Sequence, residues 1–190
     1  MTAMKYDPKK HHRRSIRLPG HDYAQAGAYF VTICTDDRQC LFGRVDNAEM
    51  RLNHLGQIAD ECWRMIPAHF GNVELDAFVI MPNHVHGIIV ITDVGVGATH
   101  ASPLRTRNGP KPRSIGAIIG SYKSGVSKRI NEIRATPGPT IWQRDYYEHI
   151  IRNDASLDRI RLYIMNNPAS WMLDRENPRA DCYGQEKEQP

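Results

Sequence analysis

Residues 73–92 read VELDAFVIMPNHVHGIIVIT, two apolar, β-branched runs broken by Pro82-Asn83. Valine, isoleucine and phenylalanine suit the pleated surface of a sheet, and a Pro-Asn dipeptide between such runs marks a tight turn. The stretch therefore predicts a β-hairpin, with strands over residues 73–81 and 85–92. Side chains alternate across a strand, so Val85, Gly87 and Ile89 face one layer while His84, His86, Ile88 and Val90 face the other. A sheet with apolar residues on both faces needs cover on both.

Upstream, residues 28–34, AYFVTIC, predict a first strand, followed by the polar turn Thr35-Asp36-Asp37-Arg38. Leu55, Ile58, Ala59, Cys62, Met65 and Ile66 then recur at helical spacing behind a cap at Asn53. Downstream, residues 93–113 lose periodicity and gather Gly, Pro and basic side chains, the composition of a mobile loop. A second helix starts at a Ser114 cap, carries Ile115, Ile118, Ile119, Tyr122, Val126, Ile130 and Ile133 along one stripe, and stops at Pro137-Gly138-Pro139. Residues 140–151, TIWQRDYYEHII, predict a fourth strand, and a third helix runs from about Ala155 toward Asn167-Pro168. The order β-α-β-β-α-β with an added C-terminal helix is an α+β, ferredoxin-like palm. It occupies residues 21–173, between a basic arm over 1–20 and a polar, frayed tail over 174–190.

A chain of 190 residues with 41% hydrophobic and 24% charged content suits one globular domain and excludes a fibre, a collagen-like repeat or a wholly disordered chain. No run approaches the roughly 20 apolar residues of a membrane helix. The charged start, MTAMKYDPKKHHRRSIR, is unlike a secretory signal, so the expected location is cytoplasmic, with no membrane partner. Cys34, Cys40, Cys62 and Cys182 form no CxxC pair, which argues against a disulfide scaffold or a zinc knuckle. The formal charge of +4 owes much to KKHHRRSIR. That excess suits a polyanionic partner or, equally, a solubilising arm.

Chemistry concentrates at His84 and His86. Two residues apart on one strand face, their Cα atoms lie roughly 6.5 Å apart, a spacing from which two imidazoles reach one metal ion. An HxH pair also occurs simply at a strand end. The histidines' face needs a cover, and the C-terminal helix is the apolar element left to supply it. That helix presents Tyr163 and Asn167 at i,i+4 on one side. Docked there, it would bring a phenol and an amide oxygen beside the imidazoles: His84, His86 and Asn167 around a metal, Tyr163 as nucleophile. An ordinary surface tyrosine and an Asn-Pro helix stop are the competing reading.

MPNHVHGIIV (81–90), then WQRDYYEHIIRN (142–153), then YIMNNP (163–168) in that order resemble the REP-associated tyrosine transposases, members of the HUH single-strand nuclease superfamily. The likeness spans roughly Tyr29 to Trp171. It implies a ferredoxin-like palm that cleaves and rejoins single-stranded DNA at hairpin, REP-type sequences through a 5′-phosphotyrosine intermediate, in DNA transposition. His84 and His86 correspond to the histidine pair, Tyr163 to the nucleophile and Asn167 to the third metal ligand. Tyr146 and Tyr147 compete for the nucleophile's role, although neither has Asn or Gln four residues on. His149 shares a strand face with Tyr147 and is a possible site neighbour.

A phenol with a pKa near ~10 is a poor nucleophile at neutral pH but a good leaving group, so a phosphotyrosine bond conserves the energy of the cut. Two imidazoles and an amide suit Mn²⁺ on ligand grounds, and the resemblance implies Mg²⁺ or Mn²⁺. The implied partner is single-stranded or hairpin DNA, bound by a monomer or a homodimer. Phosphates would be met by Lys9, Lys10, Arg13, Arg14 and Arg17 of the arm, Arg105, Arg107, Lys111 and Arg113 of the loop, and Lys123 and Lys128 of the helix. The alternatives are a non-catalytic nucleic-acid-binding module of the same fold and a hydrolase that activates water at the two histidines.

Overall fold

The computed structural model describes residues 22–93, 111–134, 140–174 and 176–178. The expected basic arm, nearly all of the expected loop and residues 179–190 lie outside them. In chain order come strand β1 (Gly27–Cys34), strands β2 (Gly43–Asp46) and β3 (Glu49–Leu52), and helices α1 (His54–Arg64) and α2 (Ile66–His69). Strands β4 (Val73–Ile80) and β5 (His84–Ile91) follow, then helix α3 (Ile115–Arg134), strand β6 (Tyr147–Ile151) and helix α4 (Asp154–Asn166).

The main sheet has the order β4-β5-β1-β6, antiparallel at every step. First and third palm strands, β1 and β5, thus lie side by side at its centre with β4 and β6 at the edges, the ferredoxin-like arrangement. Local chemistry sets the ends of the helices. Asn53 Oδ1 accepts from the Gly56 amide at 2.9 Å, Ser114 Oγ from that of Ala117 at 3.3 Å, and Asn153 Oδ1 from that of Ser156 at 2.8 Å, each relieving a first-turn N–H. The Pro82-Asn83 turn closes with the Met81 amide donating to the His84 carbonyl at 2.8 Å.

Both sheet faces are covered. On one, α1 and α3 bury Ile58, Trp63, Ile118, Tyr122 and Val126 against Tyr29, Val31, Val85 and Ile89. Gly87 makes room for this layer, since a Cβ there would stand 2.9 Å from Cη2 of the Trp63 indole. On the other, α4 lays Ile164, Leu157 and Ile160 over Phe30, Ile88 and Ile151. The helix is also tied to the sheet edge, where Arg161 donates to both Asp76 carboxylate oxygens at 2.9 and 2.6 Å. Asp76 sits in the irregularity of β4 between Leu75 and Phe78, the sort of bulge that re-aims a side chain.

The structure corrects the fourth strand, which begins at Tyr147 rather than at Thr140. Before it, Trp142 turns into the first core, and the Lys123 ammonium takes up the carbonyls of Gln143, Arg144 and Asp145, acceptors that a neighbouring strand would have used. The β2–β3 hairpin was not foreseen. Its turn places Asn47 and Ala48 at φ 50° and 62°, and Asn-Ala lacks the glycine that advertises such a turn. Residues just past 173 do not fray as expected. A 3-10 turn at Trp171–Leu173 buries the indole, and Asp174 and Asn177 are buried behind it, with the Asn177 amide donating to the Trp171 carbonyl at 2.9 Å. Among the described residues, no helix is long and apolar enough to cross a membrane.

Candidate active site

Strand alternation and the α4 cover bring together the residues singled out by spacing. His84 and His86 are buried on the α4 face of β5, their ring centroids 4.4 Å apart. Tyr163, on α4, sits 3.1 Å from His86 Nε2 through its hydroxyl oxygen while the residue as a whole remains 48% exposed. Phe30 stacks on His86 at 5.4 Å and meets the Tyr163 ring edge-on at 6.0 Å, a rigid wall that orients both. Tyrosine and histidines of a single chain therefore meet without a second copy.

Each imidazole is held from behind. His86 Nδ1 shares a 2.9 Å hydrogen bond with Thr32 Oγ1, and His84 Nδ1 is 2.8 Å from Asn83 Oδ1. His84 Nε2 is buried with no hydrogen-bond partner, and so is Asn167 Oδ1. The Asn167 amide nitrogen donates to Asp174 Oδ2 at 3.2 Å. Ligand atoms of His84, His86 and Asp174 all lie within 4.8 Å of one another. Two of these atoms, His84 Nε2 and Asn167 Oδ1, are buried acceptors with no donor, a cost that a cation joining the cluster would relieve. The donor set, two imidazoles with a carboxylate and an amide oxygen, is compatible with a divalent metal ion.

Burial sets the charge state of the pair. It pulls His84 down to about 4, against the Asp174 carboxylate and the Asn167 amide, which favour its protonated form. The same burial, with the neighbouring His84, holds His86 well below the usual imidazole range. Both are thus neutral at pH 7, the form a metal requires.

In front of the cluster opens a cleft of about 550 Å³, reached by His86, Thr32, Tyr163, Tyr146, Tyr147 and Glu176 among others. Tyr147 is exposed on the same face and meets Phe30 edge-on at 6.2 Å, whereas Tyr146 packs partly into the first core. Neither is hydrogen-bonded to the histidines as Tyr163 is. His149 opposite Phe30 is exposed and does not line the cleft. Sequence reasoning missed Asp174 and Glu176. Their one signal was Trp171, an aromatic too large to leave in a solvated tail.

Of the expected phosphate contacts, Lys9, Lys10, Arg13, Arg14, Arg17, Arg105 and Arg107 lie outside the described residues. Lys111 pairs with Asp22 at 2.9 Å and Lys128 with Glu132 at 3.9 Å, both at the surface, and Arg113 is exposed. Lys123 is engaged by the three carbonyls before β6 and so serves the cleft wall.

No family model matches the chain. An uncharacterized protein of Haemophilus influenzae is 44% identical over 179 residues, covering 90% of this chain and 96% of its relative. The two belong to one family. Among solved structures, a REP-associated tyrosine transposase bound to a REP hairpin superposes with a TM-score of 0.55 at 18% identity, over 82% of this chain and 74% of that one. This family therefore has the fold of that transposase, an antiparallel sheet with helices on both faces.

Proposed function

We propose that the protein is a metal-dependent DNA strand transferase, a tyrosine transposase that cleaves and rejoins single-stranded DNA at hairpin, REP-type sequences. One observation carries the reading: the Tyr163 hydroxyl lies 3.1 Å from His86 Nε2, at the mouth of an open cleft and beside a buried cluster of cation-seeking atoms. A nucleic-acid-binding module has no use for such a cluster. The motif resemblance and a fold shared with a REP-hairpin-bound transposase support the same conclusion.

His84, His86 and Asp174, with Asn167 Oδ1 beside them, would hold Mg²⁺ or Mn²⁺. When bound, the ion would offset charge developing on the scissile phosphate. Tyr163 Oη attacks the phosphorus, the bond to O3′ breaks, and the product is a 5′-phosphotyrosyl link with a free 3′-hydroxyl; the phenol gives up one proton and the leaving oxygen takes one. Reversal by a DNA 3′-hydroxyl needs no nucleotide cofactor. The Phe30 wall and the Arg161–Asp76 tie hold the nucleophile in place, so less orientational freedom is lost on reaching the transition state. Tyr147, exposed across the cleft, offers a stacking face for a base.

The test is a denaturing gel of the protein incubated with labelled single-stranded hairpin DNA from the flanks of its own gene, with and without Mn²⁺ or Mg²⁺. A metal-dependent covalent adduct, lost in Tyr163→Phe and kept in Tyr147→Phe, is expected. Adduct lost solely in Tyr147→Phe would move the nucleophile. Metal-dependent cleavage persisting in Tyr163→Phe would mean a hydrolase, and tight, salt-sensitive binding with no adduct would mean a binding module.

A further inference from the structure

Asn83 has a second task besides its turn. Its amide nitrogen donates to the carbonyl of Arg38 at 3.0 Å and to that of Glu176 at 2.6 Å. A carbonyl only accepts, so the atom facing both must be the nitrogen, and the orientation of the amide is settled. The other end, Oδ1, then faces His84 Nδ1 at 2.8 Å and can only accept, which requires the proton of the neutral imidazole to sit on Nδ1. His84 Nε2 is left as a bare lone pair. It is the ring nitrogen found buried with no partner beside Asn167 Oδ1 and the Asp174 carboxylate.

Asn83 is fully buried, so water does not substitute for any of these contacts. Its anchors come from distant parts of the chain, Arg38 in the 3-10 turn after β1 and Glu176 beyond Trp171–Leu173. Glu176 is further fixed by the Arg38 guanidinium at 2.9 Å. The same amide therefore registers the segment that carries Asp174 against the strand that carries His84.

We propose that Asn83 is a positioning residue whose amide, locked by the carbonyls of Arg38 and Glu176, fixes His84 as the Nδ1–H tautomer and aims its Nε2 lone pair into the cation cluster. The consequence for metal binding rests on the function proposed above; the tautomer itself does not. Groups behind a metal-bound histidine commonly change metal affinity 10- to 100-fold when removed.

The experiment uses the full chain with ¹⁵N-labelled histidine and no metal, with the His84 signals assigned by His84→Gln. Long-range ¹⁵N–¹H correlation spectra at neutral pH should show wild-type His84 protonated at Nδ1. In Asn83→Ala, His84 should shift to a mixture or to the Nε2–H form, and Mn²⁺ affinity by calorimetry should fall about 10- to 100-fold. Persistence of the pure Nδ1–H form in a folded Asn83→Ala protein, with unchanged Mn²⁺ affinity, would overturn the proposal. Should Asn83→Ala not fold, the wild-type spectrum decides by itself: His84 found as the Nε2–H form would overturn the proposal. A tautomer that responds to Asn83→Ala in a protein that binds no Mn²⁺ refutes the metal-dependent function and leaves the positioning role standing. One that binds Mn²⁺ and forms adduct while its tautomer ignores Asn83 does the reverse.

Discussion

Replacing Gly87 and Gly120 by alanine should move stability in opposite directions, although the same methyl group is added each time. At Gly87 the new Cβ would lie 2.9 Å from Trp63 Cη2, 3.0 Å from Cε2 and closer still to Cζ2. Carbon atoms prefer roughly 3.5–4.0 Å, so the indole or the strand must retreat by more than half an ångström. Trp63 has nowhere to go: it is fully buried, stacked on Phe78 at 5.8 Å and edge-on to Tyr122 at 5.1 Å. Overpacking of this kind costs about 1–3 kcal/mol, which at about 2–4 °C per kcal/mol for a chain of this size lowers Tm by roughly 2–12 °C. At Gly120, exposed in the interior of α3, a Cβ meets nothing within 4 Å. Alanine there restricts the unfolded chain and suits the helix, a gain of about 0.5–1 kcal/mol and roughly 1–4 °C. Thermal and urea unfolding of both variants decides the matter. A Gly87→Ala protein as stable as wild type, or a Gly120→Ala protein clearly less stable, would refute the packing argument. Because Gly87 separates His86 from Ile88, a strand that yields in place of Trp63 should also weaken Mn²⁺ binding.

Acid should expose the buried histidines. The folded-state pKa of His84, about 4, lies below the ordinary value near 6.5, so its contribution to stability is complete above about pH 6.5 and is lost as pH falls toward 4. Urea midpoints should decline across that window, and His84→Gln should flatten the decline. Arg161→Ala releases α4 from Asp76 two residues before Tyr163; adduct formation should drop about tenfold or more while Tm changes little, since misplacing a reacting group costs rate before it costs stability. An Arg161→Ala enzyme of wild-type rate would show the tie to be idle. Burial and the Glu176 carboxylate push the Cys34 thiol up to about 12, so iodoacetamide at pH 8 should label exposed Cys40 well before Cys34, and Glu176→Gln should speed Cys34 labelling, read by mass spectrometry.

Much of this molecule is written locally. Period-two alternation in MPNHVHGIIV fixed which residues share the face of His84 and His86, and asparagine or serine caps fixed where α1, α3 and α4 begin. Those signals act over a few residues, so the palm and the pairing of Tyr163 with the histidines could be reasoned from them. Long-range partners could not. The Asp174 carboxylate reaches the cluster because Trp171 buries itself and folds the chain back, and Lys123 ends a strand early by binding carbonyls about twenty residues away. Asn83 looks like a turn residue until Arg38 and Glu176 close on its amide from opposite ends of the chain. Alternation and capping are backbone geometry, which sequence encodes residue by residue, whereas a buried polar group is satisfied by whatever packing brings within 3 Å, and only the tertiary structure decides that.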